Sequence, residues 1–219
     1  MVSVILPAYN AQPYLNDCVS SILHGNAVPG LDIILVDDGS NDNTGILAAN
    51  LGCRVFKQPR RGAAAARNKG LAEAPGPYVF FLDADDLLMP GSLAAMLSLL
   101  ESEPRVMAVF GKAVEFVSPE LAEDAQNRFR PRRAPFTGCL PGCALLRKAI
   151  FTHIGLFDQT MRTGETVAWQ MRMRDSGVPF LQTDVLTLRR RLHPRSTGAM
   201  HGAQEKKDYL ALLRKRMRS

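Results

Sequence analysis

The run Tyr78-Val79-Phe80-Phe81-Leu82 constrains this chain more than any other stretch, because it is apolar throughout and passes directly into Asp83-Ala84-Asp85-Asp86. Pro75-Gly76-Pro77 bounds it upstream. A short apolar run with these flanks predicts a β strand buried on both faces, the kind found inside a parallel sheet covered by helices. Three carboxylates within four positions at its end repel one another, and withdrawal from water raises their cost further. A cationic group has to offset them, and no Lys or Arg lies nearby in the sequence. A divalent metal that also carries phosphates fits this requirement, since Mg²⁺ is usually held by one or two carboxylates plus substrate oxygens. The alternative reading is a solvated, Asp-rich turn that caps the following helix.

The same arrangement recurs upstream. Val2-Ser3-Val4-Ile5-Leu6 closes in Pro7-Ala8-Tyr9-Asn10, and Asp32-Ile33-Ile34-Leu35-Val36 closes in Asp37-Asp38-Gly39-Ser40. Helices are predicted between the strands, over 13–24, 43–51 and 63–74, with a further short strand at 53–56. Ser92 to Glu103 places Leu93, Met96, Leu97 and Leu100 at helical spacing on one face. Strands alternating with helices imply right-handed βαβ units and a mostly parallel central sheet flanked by helices. Ligands of such sheets bind beyond the carboxyl ends of the strands, and three polar loops converge on that rim here.

Beyond Met107-Ala108-Val109-Phe110 the pattern is less regular. Residues 111–140 give no clear element, Gly138 and Gly142 bracket a turn, and a short helix is predicted from Arg147 to His153. Thr163-Gly164-Glu165-Thr166 introduces a helix to about Asp175, stopped by Gly177. Phe180 to Leu192 alternates enough for one or two strands, and Glu205 to Met217 reads as a basic terminal helix.

At 219 residues and 46% hydrophobic content the chain fits one domain with a sizeable core. No apolar run approaches the roughly 18 residues of a membrane span, and no basic segment precedes the first strand, which predicts a cytoplasmic protein. Cys139 and Cys143 form a C-x3-C pair without a second pair, too little for a zinc site. Residues 1–111 hold 7 basic against 11 acidic side chains, whereas 112–219 hold 20 against 10. That asymmetry predicts an anionic partner for the second half, such as a membrane surface met peripherally through Arg128, Arg130, Arg132, Arg133 and the 206–218 region. Nucleic acid is not expected, because no aromatic–basic interleaved surface or known module is present.

Ile5-Leu6-Pro7-Ala8-Tyr9-Asn10, Val36-Asp37-Asp38-Gly39-Ser40-Asn41-Asp42-Asn43-Thr44, Ala66-Arg67-Asn68-Lys69-Gly70 and Phe81-Leu82-Asp83-Ala84-Asp85-Asp86, in this order and spacing, resemble a family 2 glycosyltransferase of the GT-A fold. Gly155-Leu156-Phe157-Asp158 and Arg191-Leu192-His193 look like acceptor-side segments of the same family. The resemblance covers nearly the full length. It implies a Rossmann-like nucleotide-sugar-binding half over 1–110, an acceptor-side half over 111–200 and a basic terminal helix over 201–219. It also implies a nucleotide-diphosphate sugar donor, usually UDP-linked, and transfer to an acceptor hydroxyl with inversion. The acceptor would be a glycan, a lipid-linked saccharide or a peptide. By position, Pro7, Ala8 and Tyr9 would pack around the nucleobase, Asp37 or Asp38 would hydrogen-bond it, and Arg67 would hold the base or its ribose. Asp83-Ala84-Asp85 would be the D-x-D motif, with Asp85 a ligand of Mn²⁺ or Mg²⁺ and Asp83 facing ribose and metal. His193 would complete the metal site.

One position departs from the family. Its catalytic base is usually the aspartate of a Glu-Asp pair opening a late helix, and here that pair is Glu165-Thr166. Glu165 then takes over the base role, Asp158 or Asp175 reaches in, or the protein is a weak or inactive sugar-nucleotide binder. A sugar-nucleotide pyrophosphorylase is disfavoured, because Pro7-Ala8-Tyr9-Asn10 is no Gly-rich phosphate loop.

Overall fold

The computed structural model of the chain describes residues 1–138, 140–161 and 163–196. The predicted terminal helix over 205–217, and Cys139 of the C-x3-C pair, lie outside the described residues.

The first half follows the expected alternation. Strands β1 (Val2–Ala8), β2 (Leu31–Asp37), β3 (Arg54–Lys57) and β4 (Tyr78–Phe81) are separated by helices α1 (Gln12–Leu23), α2 (Thr44–Asn50) and α3 (Ala63–Glu73). Side chains alternate across the sheet, so each strand feeds two cores. Val2, Val4 and Leu6 of β1, with Phe80 and Leu82, pack on one side against Leu15, Val19 and Ile22 of α1. Ile5, Ile34, Val36, Val79 and Phe81 pack on the other. Full burial of such a side chain contributes about 1.5–3 kcal/mol, which is why the continuous apolar runs were readable as strands. Gly70 lets α3 lie close on the sheet, since a Cβ there would meet Ile5 Cγ2 at 2.3 Å.

After β5 (Leu87–Leu88) and α4 (Ser92–Ser102), the chain adds β6 (Ala108–Val117), a single-turn α5 (Glu123–Gln126), β7 (Ala144–Arg147), α6 (Ile150–Ile154), α7 (Glu165–Asp175) and β8 (Phe180–Leu192). The eight strands form one sheet in the order β3-β2-β1-β4-β7-β6-β8-β5. Four neighbouring pairs run parallel and three, each involving β7 or β8, antiparallel. The sheet is therefore mostly parallel, as expected.

Two local expectations are corrected. Arg147 does not open a helix: it ends β7, where Leu145 pairs with Phe80 on one side and Val109 on the other. Pairing on both edges overrides the helical tendency of Ala144-Leu145-Leu146, and the helix starts at Ile150. Residues 111–117, which carried no assignment, continue β6, because β8 runs beside them as far as Leu192. Through that pairing β8 delivers Arg191 and His193 to the rim where β1, β2 and β4 end.

Candidate active site

The rim begins with two welded loops. The amide of Asn10 donates to Ser40 Oγ at 3.0 Å, that of Ala11 to Thr44 Oγ1 at 2.9 Å, and that of Asn41 to Asn10 Oδ1 at 2.8 Å. Asn10 adopts φ 51°, a left-handed conformation that asparagine tolerates better than most residues. Pro7 and Ala8 pair in register with Val36 and Asp37, and the amide of Asp38 donates to Ala8 O at 2.8 Å. Both acidic residues at the end of β2 are buried and engaged. Asp37 Oδ1 accepts from the Ser40 amide at 2.9 Å. Asp38 accepts from Gln58 Nε2 at 2.7 Å and from the amides of Arg61 and Gly62 at 2.8 Å each, so it fixes the turn that leads into α3. Tyr9 projects beside this turn with the Arg60 guanidinium 3.6 Å above its ring.

From α3, Arg67 enters the centre of the rim. Its guanidinium is buried and bridges two carboxylates from distant elements: Asp83 Oδ1 at 2.7 Å, after β4, and Glu165 Oε1 at 2.5 Å, at the start of α7. Burial alone would lower the Arg67 pKa, but Asp83 and Glu165 more than offset it and hold the cation. Its Nε is buried without a partner. The neighbouring Asn68 pins the acceptor-side loop, donating to Phe157 O at 2.8 Å and accepting from the Phe157 amide at 3.1 Å. Phe157, Phe81, Phe151 and Trp169 pack into one aromatic cluster. Trp169 Nε1 donates to Gly155 O, so α7 and the Glu165 it carries are anchored to β4.

The three carboxylates after β4 part company. Asp83 turns to Arg67. Asp85 Oδ2 meets His193 Nε2 at 2.9 Å. Asp86 is buried and accepts from the Arg191 amide at 2.8 Å. Burial, then Asp85 and Asp83, push the Asp86 carboxyl well above its ordinary range. Arg191 Nε also donates to Asp85 O at 2.8 Å, and its terminal nitrogens reach Asp17 and Ser118. Ala84, between the acids, is buried in the core beneath. A cation from within the chain offsets one of these acids, since Arg67 pairs with Asp83, whereas the Arg191 guanidinium pairs with Asp17 and Glu120 and reaches Asp85 only at its backbone oxygen.

The side chains left to hold a metal ion are those of Asp85 and His193. Among the described residues no three His, Cys, Asp or Glu side chains converge on one point. A carboxylate and an imidazole side by side nevertheless suit an ion whose remaining ligands come from a diphosphate. Asp83 has one oxygen committed to Arg67. Of the alternative bases, Asp175 ends α7, roughly 15 Å along the helix from Glu165 at 1.5 Å per residue, and Asp158 is exposed and accepts from the Thr160 amide and hydroxyl. Thr166 is buried, with its hydroxyl 3.5 Å from Glu165 Oε1. Sequence reasoning missed Tyr14, whose hydroxyl lies 3.1 Å from His193 Nδ1 and whose ring stacks on the imidazole at 4.5 Å. It also missed Asn68 and Arg191 as supports; nothing in their local sequence signals partners 89 and 105 positions away.

Comparison with known proteins agrees with this architecture. Solved structures of S. aureus TarS superpose with TM-scores of 0.70 and 0.71 at 19% and 18% identity. They match 87% and 88% of this chain and 60% and 58% of those chains, and one holds UDP-GlcNAc. The GT-A fold is therefore as expected. Among curated relatives, an uncharacterized glycosyltransferase of Rickettsia typhi is 28% identical across 82% of this chain and 61% of its own length. The glycosyltransferase GlyG of Streptococcus pneumoniae is 25% identical across 87% and 71%. The chain thus spans about three fifths of the first of these relatives. The model of glycosyl transferase family 2 matches residues 3–155, more than half of the sequence, and the chain belongs to that family.

Proposed function

We propose that the chain transfers a sugar from a UDP-sugar to an acceptor hydroxyl with inversion at the anomeric carbon. The observation that carries this reading is the Arg67 bridge, which sets the D-x-D segment and the opening of α7 on either side of one guanidinium. Binding of UDP-GlcNAc by TarS, which shares the fold, supports the choice of donor.

In this reading Pro7, Ala8 and Tyr9 flank the nucleobase, and Asp37 and Asp38 shape its pocket through the loops they hold. Arg67 stands beside the base or its ribose, and its terminal nitrogens keep Asp83 and Glu165 in place. Glu165 accepts the proton of the acceptor hydroxyl. One of its oxygens is fixed by Arg67, which orients the carboxylate as a general base needs. Asp85 and His193 would hold a divalent ion, which would supply Lewis-acid stabilisation of the charge on the departing diphosphate. Arg191 keeps the Asp85 backbone fixed beneath.

A second reading, a sugar-nucleotide binder with little or no turnover, is favoured by Thr166 standing where the family carries its aspartate. A screen of UDP-, GDP- and TDP-sugars with Mn²⁺ and Mg²⁺, read by both binding and donor hydrolysis, separates the two. Metal-dependent hydrolysis of a UDP-sugar supports the transferase. Tight binding without turnover supports the binder, and no binding of any UDP-sugar contradicts both. The cytoplasmic placement and the peripheral contact with an anionic membrane are likewise proposals; among the described residues no helix is long and apolar enough to cross a membrane.

A further inference from the structure

Both ring nitrogens of His193 are engaged in a buried setting: Nε2 with Asp85 Oδ2 at 2.9 Å and Nδ1 with Tyr14 Oη at 3.1 Å. An ionised carboxylate only accepts, so with a neutral imidazole the proton sits on Nε2 and the Tyr14 hydroxyl donates to Nδ1. A cation, however, binds the lone pair of a ring nitrogen, and Nε2 has none to offer while it carries that proton.

We propose that Tyr14 is a positioning residue for His193, whose hydroxyl partners Nδ1 in both tautomers and so lets Nε2 pass from Asp85 to a divalent cation. This rests on the reading of Asp85 and His193 as metal ligands. The exchange conserves protons. Nε2–H leaves through water, Nδ1 takes a proton up, and the phenol oxygen turns from donor to acceptor, directing its own hydrogen elsewhere. A hydroxyl can make this reversal, and a backbone carbonyl or carboxylate in the same place could not, because each accepts only. The tyrosine is itself held. Its ring lies 4.5 Å from the imidazole centre and 5.2 Å from the Arg191 guanidinium, so the face of α1 that carries it is locked to β8.

The test uses the whole chain, its Tyr14→Phe variant, and His193→Ala alone and combined with Tyr14→Phe. Phenylalanine keeps the ring stack and removes only the hydroxyl. Ring-nitrogen NMR shifts of the metal-free parent should report the Nε2–H tautomer, moving to Nδ1–H with Mg²⁺ and UDP. Free Mn²⁺ measured by EPR in the presence of UDP should show binding weakened about tenfold or more in Tyr14→Phe, the scale found for groups that orient a ligand histidine. UDP affinity without metal should not change, and Tyr14→Phe should cost nothing further once His193 is alanine. A merely structural tyrosine would lower Mn²⁺ binding in both backgrounds, which overturns the proposal. So does a parent that needs Mn²⁺ while Tyr14→Phe binds it equally well. A parent whose UDP binding ignores Mn²⁺ overturns the metal reading and this proposal together.

Discussion

Around β1 and β2 the rim is held by backbone amides bonded to side chains one loop away, Asn10 to Ser40 and Ala11 to Thr44 among them. Around α7 and β8 it is held by single side chains that cross the molecule: Arg67 to Glu165 over 98 positions, Asp86 to Arg191 over 105, Asp85 to His193 over 108. The first half can thus form its loops by short-range closure within βαβ units. The second half is joined to them by the β4–β7 strand pairing, and at the rim by a few charged contacts and one aromatic cluster. Loss of one bond should therefore be absorbed in the first half and felt at a distance in the second. This fits the division of labour proposed above, with the nucleotide held by preformed loops and the acceptor side assembled against them.

The largest effect expected is on turnover. Glu165→Gln keeps an oxygen for Arg67 and loses the base, so steady-state transfer should fall by roughly two to four orders of magnitude, the usual contribution of a general base. UDP affinity measured alongside should change far less. Equal losses in both would mean that Glu165 serves the first half as much as the second.

Arg67→Met should strike both halves at once, because it leaves Glu165 and Asp83, both partly buried, without a counter-ion. Denaturant unfolding should show a loss of about 3 kcal/mol, the lower end for breaking a buried pair, since Asp83 keeps solvent contact. UDP binding should fall with it. A stability loss confined to a few tenths of that would show that the two halves do not depend on this bridge. Asn68→Ala comes next. It strands the buried amide and carbonyl of Phe157 and should cost about 1–3 kcal/mol in the same unfolding experiment. Turnover should suffer more than UDP affinity, as the loop it frees belongs to the acceptor side.

The smallest effect concerns the basic surface. Arg128, Arg130, Arg132 and Arg133 are exposed, and Arg132 is drawn back over Phe136 at 4.0 Å. Each charge adds about 1 kcal/mol at most near an anionic surface, so sedimentation with anionic vesicles should weaken as salt rises. Equal recovery with neutral vesicles would leave a plain solvated face.

The comparison also explains what the sequence makes legible. Tyr78–Leu82 announces itself because a strand buried on both faces must be apolar at every position, and its closing acids mark the rim. The loops at Asn10 and Asp37–Ser40 are readable for the same local reason. β7 was not, because Ala144–Leu146 becomes a strand only through partners at Phe80 and Val109. Tyr14 carries no local mark, being a tyrosine early in an amphipathic helix, and Arg191 stands in a run of three arginines that gives no sign of its partners. Their roles follow from a sheet order that places β8 two strands beyond β7, which single-sequence periodicity does not encode.

Calorimetry of UDP with and without Mn²⁺ tests most directly whether Asp85 and His193 act together with a nucleotide. Mn²⁺ should strengthen UDP binding to the parent by about tenfold, within the usual range of coupling between two ligands, and Asp85→Ala should erase that gain while leaving metal-free binding nearly unchanged. UDP affinity indifferent to metal in the parent, or an undiminished gain in Asp85→Ala, would contradict it.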